Sequence, residues 1–235
     1  MWPFSTTSTI ASSGVLRGAT DWHCHLLPGV DDGIKDMADT FTLLRRYEEE
    51  GIREVWFTPH IMEDMPNTTA ALRERFAEVK AAYEGGLTLH LAAENMLDTL
   101  FEERLEAGDV LPIGEAGDML LVETSYFTAP YDLWGILRRI QATGFHPLLA
   151  HPERYLYMSN ADYDRLHEMG VRLQLNLPAV GGAYSPESNA RAQRLLQLGY
   201  YSFKGTDTHR VSGFENAVVN AKVKKSCLKL IANLK

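Results

Sequence analysis

Cysteine is nearly missing: 235 residues contain only Cys24 and Cys227. That excludes a disulfide framework and suits a reducing compartment, so a cytoplasmic setting is expected. Positive charge is also short. Lys and Arg number 23 against 31 Asp and Glu, a formal net charge of -8, which argues against a general nucleic-acid surface. An acidic chain can still take up phosphate where cationic character is local, at a metal, an arginine or a helix N-terminus. No apolar run reaches the roughly 20 residues that span a membrane. Residues 1–14 lack the basic start and apolar centre of a signal peptide, so no membrane insertion is expected. Repeats, low-complexity tracts and strong linkers are absent too. A hydrophobic fraction of 45% remains, enough for one large core.

Apolar strand-like runs alternate with amphipathic stretches. Strands are expected over 19–23, 54–58, 87–93, 119–122, 146–150, 171–175 and 201–204. Helices are expected over 36–50, 69–84, 97–107, 131–143, 160–169, 186–198 and 214–231. In the first helix Met37, Phe41, Leu44 and Tyr47 share a face. Gly51, Gly144, Gly170 and Gly199 each close a helix before the next strand. Such alternation implies parallel βαβ units. About seven of them closing on themselves make a TIM-like (β/α)7 barrel, with an open doubly wound sheet as the alternative. The chain divides into a loose arm, 1–18, and a single barrel domain, 19–235. Trp2, Pro3 and Phe4 of the arm could dock on the body or on a neighbouring subunit. The lysines at 222, 224, 225 and 229 suit either a subunit contact, hence a homo-oligomer, or a solvated helix end. Residues 108–117 form a longer connection, a lid or a surface loop.

The chemistry gathers where the apolar runs stop. Asp21-Trp22-His23-Cys24-His25 ends the first, and alternation along a strand puts His23 and His25 on one face with Cys24 turned into packing. Asp31, Asp32 and Gly33 follow. His60 lies just past the second run, the third stops at Glu94 and the fourth at Glu123. The fifth opens onto Ala150-His151-Pro152-Glu153-Arg154-Tyr155, and the last onto Gly205-Thr206-Asp207-Thr208-His209. Taken singly, each has an ordinary explanation: a histidine bonded in a loop, Glu94 capping a helix, Glu123 at a solvated strand end, Asp207 and His209 in a turn. Taken together they do not. Five of the eight histidines fall at strand ends on one rim, where parallel α/β barrels place their chemistry. His90, His146 and His167 lie inside or before elements and read as structural. Mixed imidazole and carboxylate donors without cysteine fit Mn, Fe or Zn better than a closed structural zinc. The donors exceed one coordination sphere, so two or three divalent ions are expected, able to clamp a phosphoryl group and turn a bound water into hydroxide.

These residues resemble the polymerase-and-histidinol-phosphatase (PHP) superfamily of metal-dependent phosphoesterases, and within it the bacterial tyrosine-protein phosphatases of capsule and exopolysaccharide operons. The family opening D-x-H-x-H and its V-D-D-G turn are similar to Asp21 through His25 and Val30-Asp31-Asp32-Gly33. T-x-H is matched by Thr58-Pro59-His60, A-E by Ala93-Glu94, and a hydrophobic strand ending in Glu by Val122-Glu123. A-H-x-E-R-Y, the most specific stretch, is matched by Ala150 through Tyr155, and S/T-D-x-H by Thr206 through His209. The resemblance implies a distorted barrel of the PHP type and a trinuclear centre, with manganese foremost. It implies His23, His25, Glu94 and Asp207 on one ion, Glu94 bridging to a second with Glu123 and His151, and Asp32, His60 and His209 at the third. It also implies Arg154 on the substrate phosphate, which a guanidinium can fork bidentately. Arg210 is a second candidate for that contact, against a solvated-surface reading. Relatives often carry a basic residue just after T-x-H; here residues 61–67 lack one, a departure that leaves substrate preference open.

The expected reaction is hydrolysis of phosphotyrosine by a metal-bridging hydroxide, with Arg154 neutralising phosphoryl oxygens and His209 or a bound water supplying a proton. The expected substrate is a tyrosine-phosphorylated protein, the tail of an autokinase. A cysteine phosphatase needs an arginine six residues after its thiol; here Val30 and Asn233 occupy those places. Two alternatives stand beside it: a histidinol-phosphate or other small-molecule phosphomonoesterase, and a non-catalytic metal-binding regulatory domain.

Overall fold

The computed structural model describes residues 6–235. Trp2, Pro3 and Phe4 lie outside the described residues. Strands β1 (Thr7–Thr9), β2 (Thr20–Cys24), β3 (Glu54–Phe57), β4 (His60–Ile61), β5 (Thr88–Leu91), β6 (Glu94–Met96), β7 (Met119–Glu123), β8 (His146–Leu149), β9 (Arg172–Asn176), β10 (Tyr201–Gly205) and β11 (Lys222–Lys224) are connected mainly by helices. All seven expected strands are present within about two residues of their expected limits. The six helices before residue 200 also form where periodicity places them, Pro186–Leu198 among them. Side-chain oxygens of Asp36, Thr68, Asp98, Asp132, Ser159 and Ser185 cap their N-termini. Among the described residues no helix is long and apolar enough to cross a membrane.

The result is a mixed α/β fold with parallel sheets. One sheet has the order β10-β9-β8-β7-β6-β4, and a second β2-β3-β5. They meet at two seams. At the first, β3 runs on into β4 and β5 into β6, with Ala92 N–H bonded to Phe57 O (2.9 Å) and Glu94 N–H to Pro59 O (3.1 Å). At the second, Asp207 N–H bonds His23 O (2.7 Å) and His25 N–H bonds Thr208 O (3.0 Å), just past the end of β10. These bonds tie β2 to the chain leaving β10, but the ladders themselves stop short of one continuous ring.

Two apolar cores follow from the alternation of side chains. The larger lies between strands and helices; the smaller gathers Trp22, Trp56, Ala92, Ile113, Met119, Leu121, Leu148, Ala150 and Phe203 inside the curve of the sheets. Trp22 stacks on Trp56 (5.8 Å) and meets Phe203 edge-on (4.6 Å). Such aromatic pairs add about 1 kcal/mol each beyond area burial. Glu94 and Glu123 stand two residues beyond Ala92 and Leu121, so the inner row of each strand passes from hydrocarbon to carboxylate at its end.

Three expectations need correction. Residues 108–117 are neither lid nor plain surface loop: Ile113 is buried in the inner core and bridges Met119 at the start of β7, the end of the strand away from Glu123. The expected helix over 214–231 is broken into a π-helical turn (Phe214–Val219), β11 and a helix over Lys225–Ile231. In β11 the pattern Lys-Val-Lys is a strand alternation, with Val223 buried and both lysines exposed. Its partner is β1, antiparallel, with Ser8 opposite Val223. This described part of the arm is therefore docked, and Ile10 beside it is fully buried.

Candidate metal centre

The strand ends deliver the donors one by one. His23 is next to last in β2 with His25 just beyond the strand, His60 opens β4, Glu94 opens β6, Glu123 ends β7, His151 follows β8, and Asp207 and His209 follow β10. Strict alternation would put Trp22 and Cys24 on one face. A register shift between Asp21 and Cys24 in the β2–β3 ladder separates them. Trp22 joins the inner core while Cys24 packs in the outer one, as expected of it. Asp21 stays outside the donor cluster, where its carboxylate accepts from Thr206 N–H (2.8 Å) and Tyr47 OH (2.8 Å) and ties β2 to the end of β10. Gly205 allows the close approach of these two segments: a Cβ there would lie 2.6 Å from His23 Cβ and 2.6 Å from Gln174 Nε2. His151 (φ 33°) and Asp207 (φ 51°) hold left-handed backbone, the only non-glycine residues to do so among those described. That conformation costs on the order of 1–3 kcal/mol and clusters at functional sites.

Hydrogen bonding settles the imidazole tautomers. Gln174 Oε1 accepts the His151 backbone N–H (3.2 Å), and Gln174 Nε2 donates to Leu175 O (2.6 Å). The amide orientation is thereby fixed, so His23 Nδ1, 3.0 Å from Gln174 Oε1, must donate to it. His25 Nδ1 donates to Asp31 Oδ2 at 2.8 Å. In the neutral rings both Nε2 atoms are then bare lone pairs, yet they stand 3.1 Å apart. Both also face Glu94 Oε2, at 3.1 and 3.2 Å, and Asp207 Oδ1, at 3.6 and 3.5 Å. Nearby, His60 Nδ1 lies 3.2 Å from Glu94 Oε2 and 3.0 Å from Glu123 Oε1, and none of these three buried atoms has a hydrogen-bond partner among the described residues. So many electron pairs directed at one another need positive charge between them, as protons or as metal ions.

The pKa directions say the same. Burial alone would keep His23 neutral, but Glu94 and Asp207 outweigh it and push His23 up to about 9. Burial alone would raise Glu94, but His23 and His60 hold it well below the usual carboxylate range. Asp207 is held down in the same way, chiefly by His23 against its own burial.

Among the described residues four sets of donors are close enough to hold an ion: His25, Asp32, His60 and His209; His23, His25 and Asp207; His23, Glu94 and His151; and His60, Glu94 and Glu123. All nine expected ligands are thus brought together. Their sharing differs from the expected partition, because His23, His25 and His60 each belong to two sets and Glu123 stands nearer His60 (3.0 Å) than His151 (3.7 Å). Asp32 is the most exposed, with Oδ1 3.4 Å from His209 Nε2 and 3.6 Å from His60 Nε2.

A family profile described as "Capsular polysaccharide synthesis, CpsB/CapC" matches residues 19–225. The chain belongs to the CpsB/CapC family. Among its CpsB/CapC relatives, the tyrosine-protein phosphatase YwqE of Bacillus subtilis is 27% identical over 197 residues, covering 81% of this chain and 77% of that one. The tyrosine-protein phosphatase CpsB of Streptococcus pneumoniae is 29% identical over 204 residues, covering 81% and 83%. A putative tyrosine-protein phosphatase, CapC of Staphylococcus aureus, is 24% identical over 199 residues, covering 82% and 77%. A solved structure from work on YwqE and CpsB, described there as unique metal-dependent tyrosine phosphatases, superposes with a TM-score of 0.77. It is 24% identical and covers 91% of this chain and 85% of its own, and so shares the fold.

In this CpsB/CapC chain Arg154 ends a short 3₁₀ turn (Pro152–Arg154) beside the cluster and donates from Nη1 to Asp207 Oδ2 (2.9 Å). Arg210 is exposed and lines a groove with Asp32 and His209. His90 stacks on Trp56 and His167 on Tyr200, away from the cluster, as their structural reading requires.

Sequence reasoning passed over several partners. Asp31 is buried and accepts from His25 Nδ1, Gly33 N–H (2.9 Å) and His60 N–H (3.1 Å), so it fixes two histidines and the turn between them. It lies in the V-D-D-G turn directly before Asp32, an identical neighbour from which sequence alone does not distinguish it. Gln174 and Asn176 are fully buried polar residues of β9; Asn176 Nδ2 donates to Asp207 Oδ2 (2.8 Å). Amides inside an otherwise apolar strand were their signal. Tyr126 and Tyr184 flank Arg154 from loops and left no pattern to find.

Proposed function

We propose that this protein is a metal-dependent protein-tyrosine phosphatase whose ions sit among His23, His25, Asp32, His60, Glu94, Glu123, His151, Asp207 and His209. The observation that carries the reading is the pair of His23 and His25 Nε2 lone pairs, 3.1 Å apart and facing Glu94 Oε2, in a chain whose relatives are named tyrosine phosphatases. Divalent ions bound there would supply Lewis-acid charge and an acidified water for attack on phosphorus. The chain's own groups do the rest. Arg154 places a fixed cation at the edge of the cluster for phosphoryl oxygens. Asp31 and Gln174 hold the His25 and His23 rings with Nε2 turned inward. His209, with Nδ1 bonded to Asp207 O (2.9 Å) and its ring partly exposed, would pass a proton from Nε2 to the departing phenolate only while that nitrogen is free of an ion; with Nε2 bound, water would supply the proton. Phenol has a pKa of about 10, so that assistance need only be modest. Arg210 is a second cation for the substrate at the outer groove.

We read the two sheets as one distorted (β/α)7 barrel of the PHP type, since backbone bonds span both seams. Manganese is the proposed ion, the cytoplasm the proposed setting, and a tyrosine-phosphorylated autokinase tail the proposed substrate.

Hydrolysis of p-nitrophenyl phosphate and a phosphotyrosyl peptide, abolished by chelator and restored by Mn²⁺, is the expected result. Metal-restored turnover of histidinol phosphate in preference to the peptide would move the assignment to a small-molecule phosphatase. No turnover of any monoester by metal-loaded protein would leave a binding domain. Anomalous scattering at metal absorption edges identifies and counts the ions.

A further inference from the structure

The guanidinium of Arg154 is covered on both faces. Its central carbon lies 4.1 Å from the centroid of the Tyr126 ring and 4.3 Å from that of Tyr184. The rings come from separate loops, one after β7 and the other ahead of the helix Pro186–Leu198. Each is anchored in its own way. Tyr126 meets His151 edge-on (5.7 Å) and stacks on Tyr155 (6.3 Å). The Tyr184 hydroxyl accepts from Asn176 Nδ2 (2.9 Å), whose amide also donates to Asp207 Oδ2 (2.8 Å).

A planar guanidinium with a ring on each face can offer only its edge. One edge donor, Nη1, is taken by Asp207 Oδ2, and among the described residues the side chain makes no other hydrogen bond. Left alone, an arginine spreads over many rotamers, so binding an anion would first require ordering it. Cation–π contact on both faces removes that requirement beforehand.

We propose that Tyr126 and Tyr184 are positioning residues: they clamp Arg154 in one plane so that its remaining N–H edge meets the phosphoryl oxygens of the substrate. The proposal rests on the phosphatase reading above. The four donor sets consist of histidines and carboxylates, so metal content reads the cluster and substrate turnover reads the clamp as separate measurements.

The test uses the full chain loaded with Mn²⁺. Replacing either ring, in Tyr126→Leu or Tyr184→Ala, is expected to lower kcat/KM for a phosphotyrosyl peptide about tenfold, the effect of losing one partly desolvated cation–π contact. Bound metal per chain should stay unchanged, and Tyr184→Phe should recover most of the loss, since it keeps the ring and removes only the hydroxyl. In an Arg154→Ala background Tyr184→Ala should add no further loss, because a clamp has nothing left to hold. An additive loss in that background, or undiminished kcat/KM in both single variants, overturns the clamp while leaving the phosphatase reading intact. A wild-type protein inactive on every monoester removes that reading. The clamp is then decided by calorimetry with inorganic phosphate, which Tyr184→Ala should bind about tenfold more weakly than wild type if the clamp is real, and equally if it is not.

Discussion

Glu94 is the point on which the other donors converge. Its Oε2 lies within 3.1–3.2 Å of ring nitrogens of His23, His25 and His60, and its Oε1 is 2.9 Å from His151 Nε2. Among the described residues no other carboxylate reaches four imidazoles. Glu94→Gln keeps the shape and removes the anion, so it should lower metal content and metal-dependent turnover by more than the 10–100-fold typical of outer partners. Metal analysis beside turnover on p-nitrophenyl phosphate reads both. Asp31 is such an outer partner. Asp31→Asn can turn an N–H toward His25 Nδ1, leaving it without an acceptor and favouring the other tautomer. Metal affinity should fall by about 10–100-fold, with activity recovered at high Mn²⁺. An activation curve indistinguishable from wild type would refute the assigned role. The two substitutions also mark what could be read in advance. Glu94 ends an apolar run and was legible; Asp31 and Asp32 are adjacent identical residues, and only the fold reveals which is buried against His25.

Between elements, close approach matters more than chemistry. Gly205 ends β10 where its backbone presses on His23, and any Cβ there meets His23 and Gln174 at 2.6 Å. Gly33 is under the same constraint, with a Cβ 2.3 Å from His25 O. Gly205→Ala should therefore destabilise the protein by about 1–3 kcal/mol, the usual penalty of overpacking, and should displace His23 enough to weaken metal binding. Urea unfolding with and without Mn²⁺ separates the two effects. Strands and helices were legible because they repeat: the inner row Met119, Leu121, Glu123 follows period two, and Pro186–Leu198 carries a Ser185 cap at one end and Gly199 at the other. The failures all involve partners distant in sequence. Lys222–Lys224 becomes a strand because Thr7–Thr9 lies beside it. Ile113 is buried because the inner core needs a plug at the end of the strands away from the cluster. The β2 register shift that frees both Trp22 and His23 from alternation is fixed against β3, some thirty residues downstream.

For the molecule as a whole, the donor cluster sets a condition on stability. Nine charged or lone-pair side chains are drawn from both sheets and across both seams, and most of them are buried. Without metal, protons must supply the compensating charge. His23 is the clearest case, its folded pKa pushed up to about 9 by Glu94 and Asp207 against its burial. A folded pKa raised above the unfolded value of about 6.5 means that the native state binds the proton more tightly. That contribution to stability is fully present below about pH 6.5 and is lost as pH rises through about 9. The metal-free protein should therefore melt at progressively lower temperature between pH 6.5 and 9, by several degrees. Metal would reverse the dependence if it binds as proposed, because a cation held there would take the place of the proton on Nε2. Mn²⁺ affinity should rise with pH across the same window, by up to about tenfold per pH unit for each proton released. At a hundredfold excess of ion over its dissociation constant the loaded protein gains about 2.7 kcal/mol, which offsets the alkaline loss. Calorimetric titration of Mn²⁺ in buffers of different ionisation enthalpy counts the protons, and thermal melts at pH 6.5 and 9, with chelator and with Mn²⁺, give the stabilities. If no proton is released and the metal-free melting temperature stays flat across that range, the donors do not share one compensating charge, and the convergence of His23 and His25 on Glu94 needs another explanation.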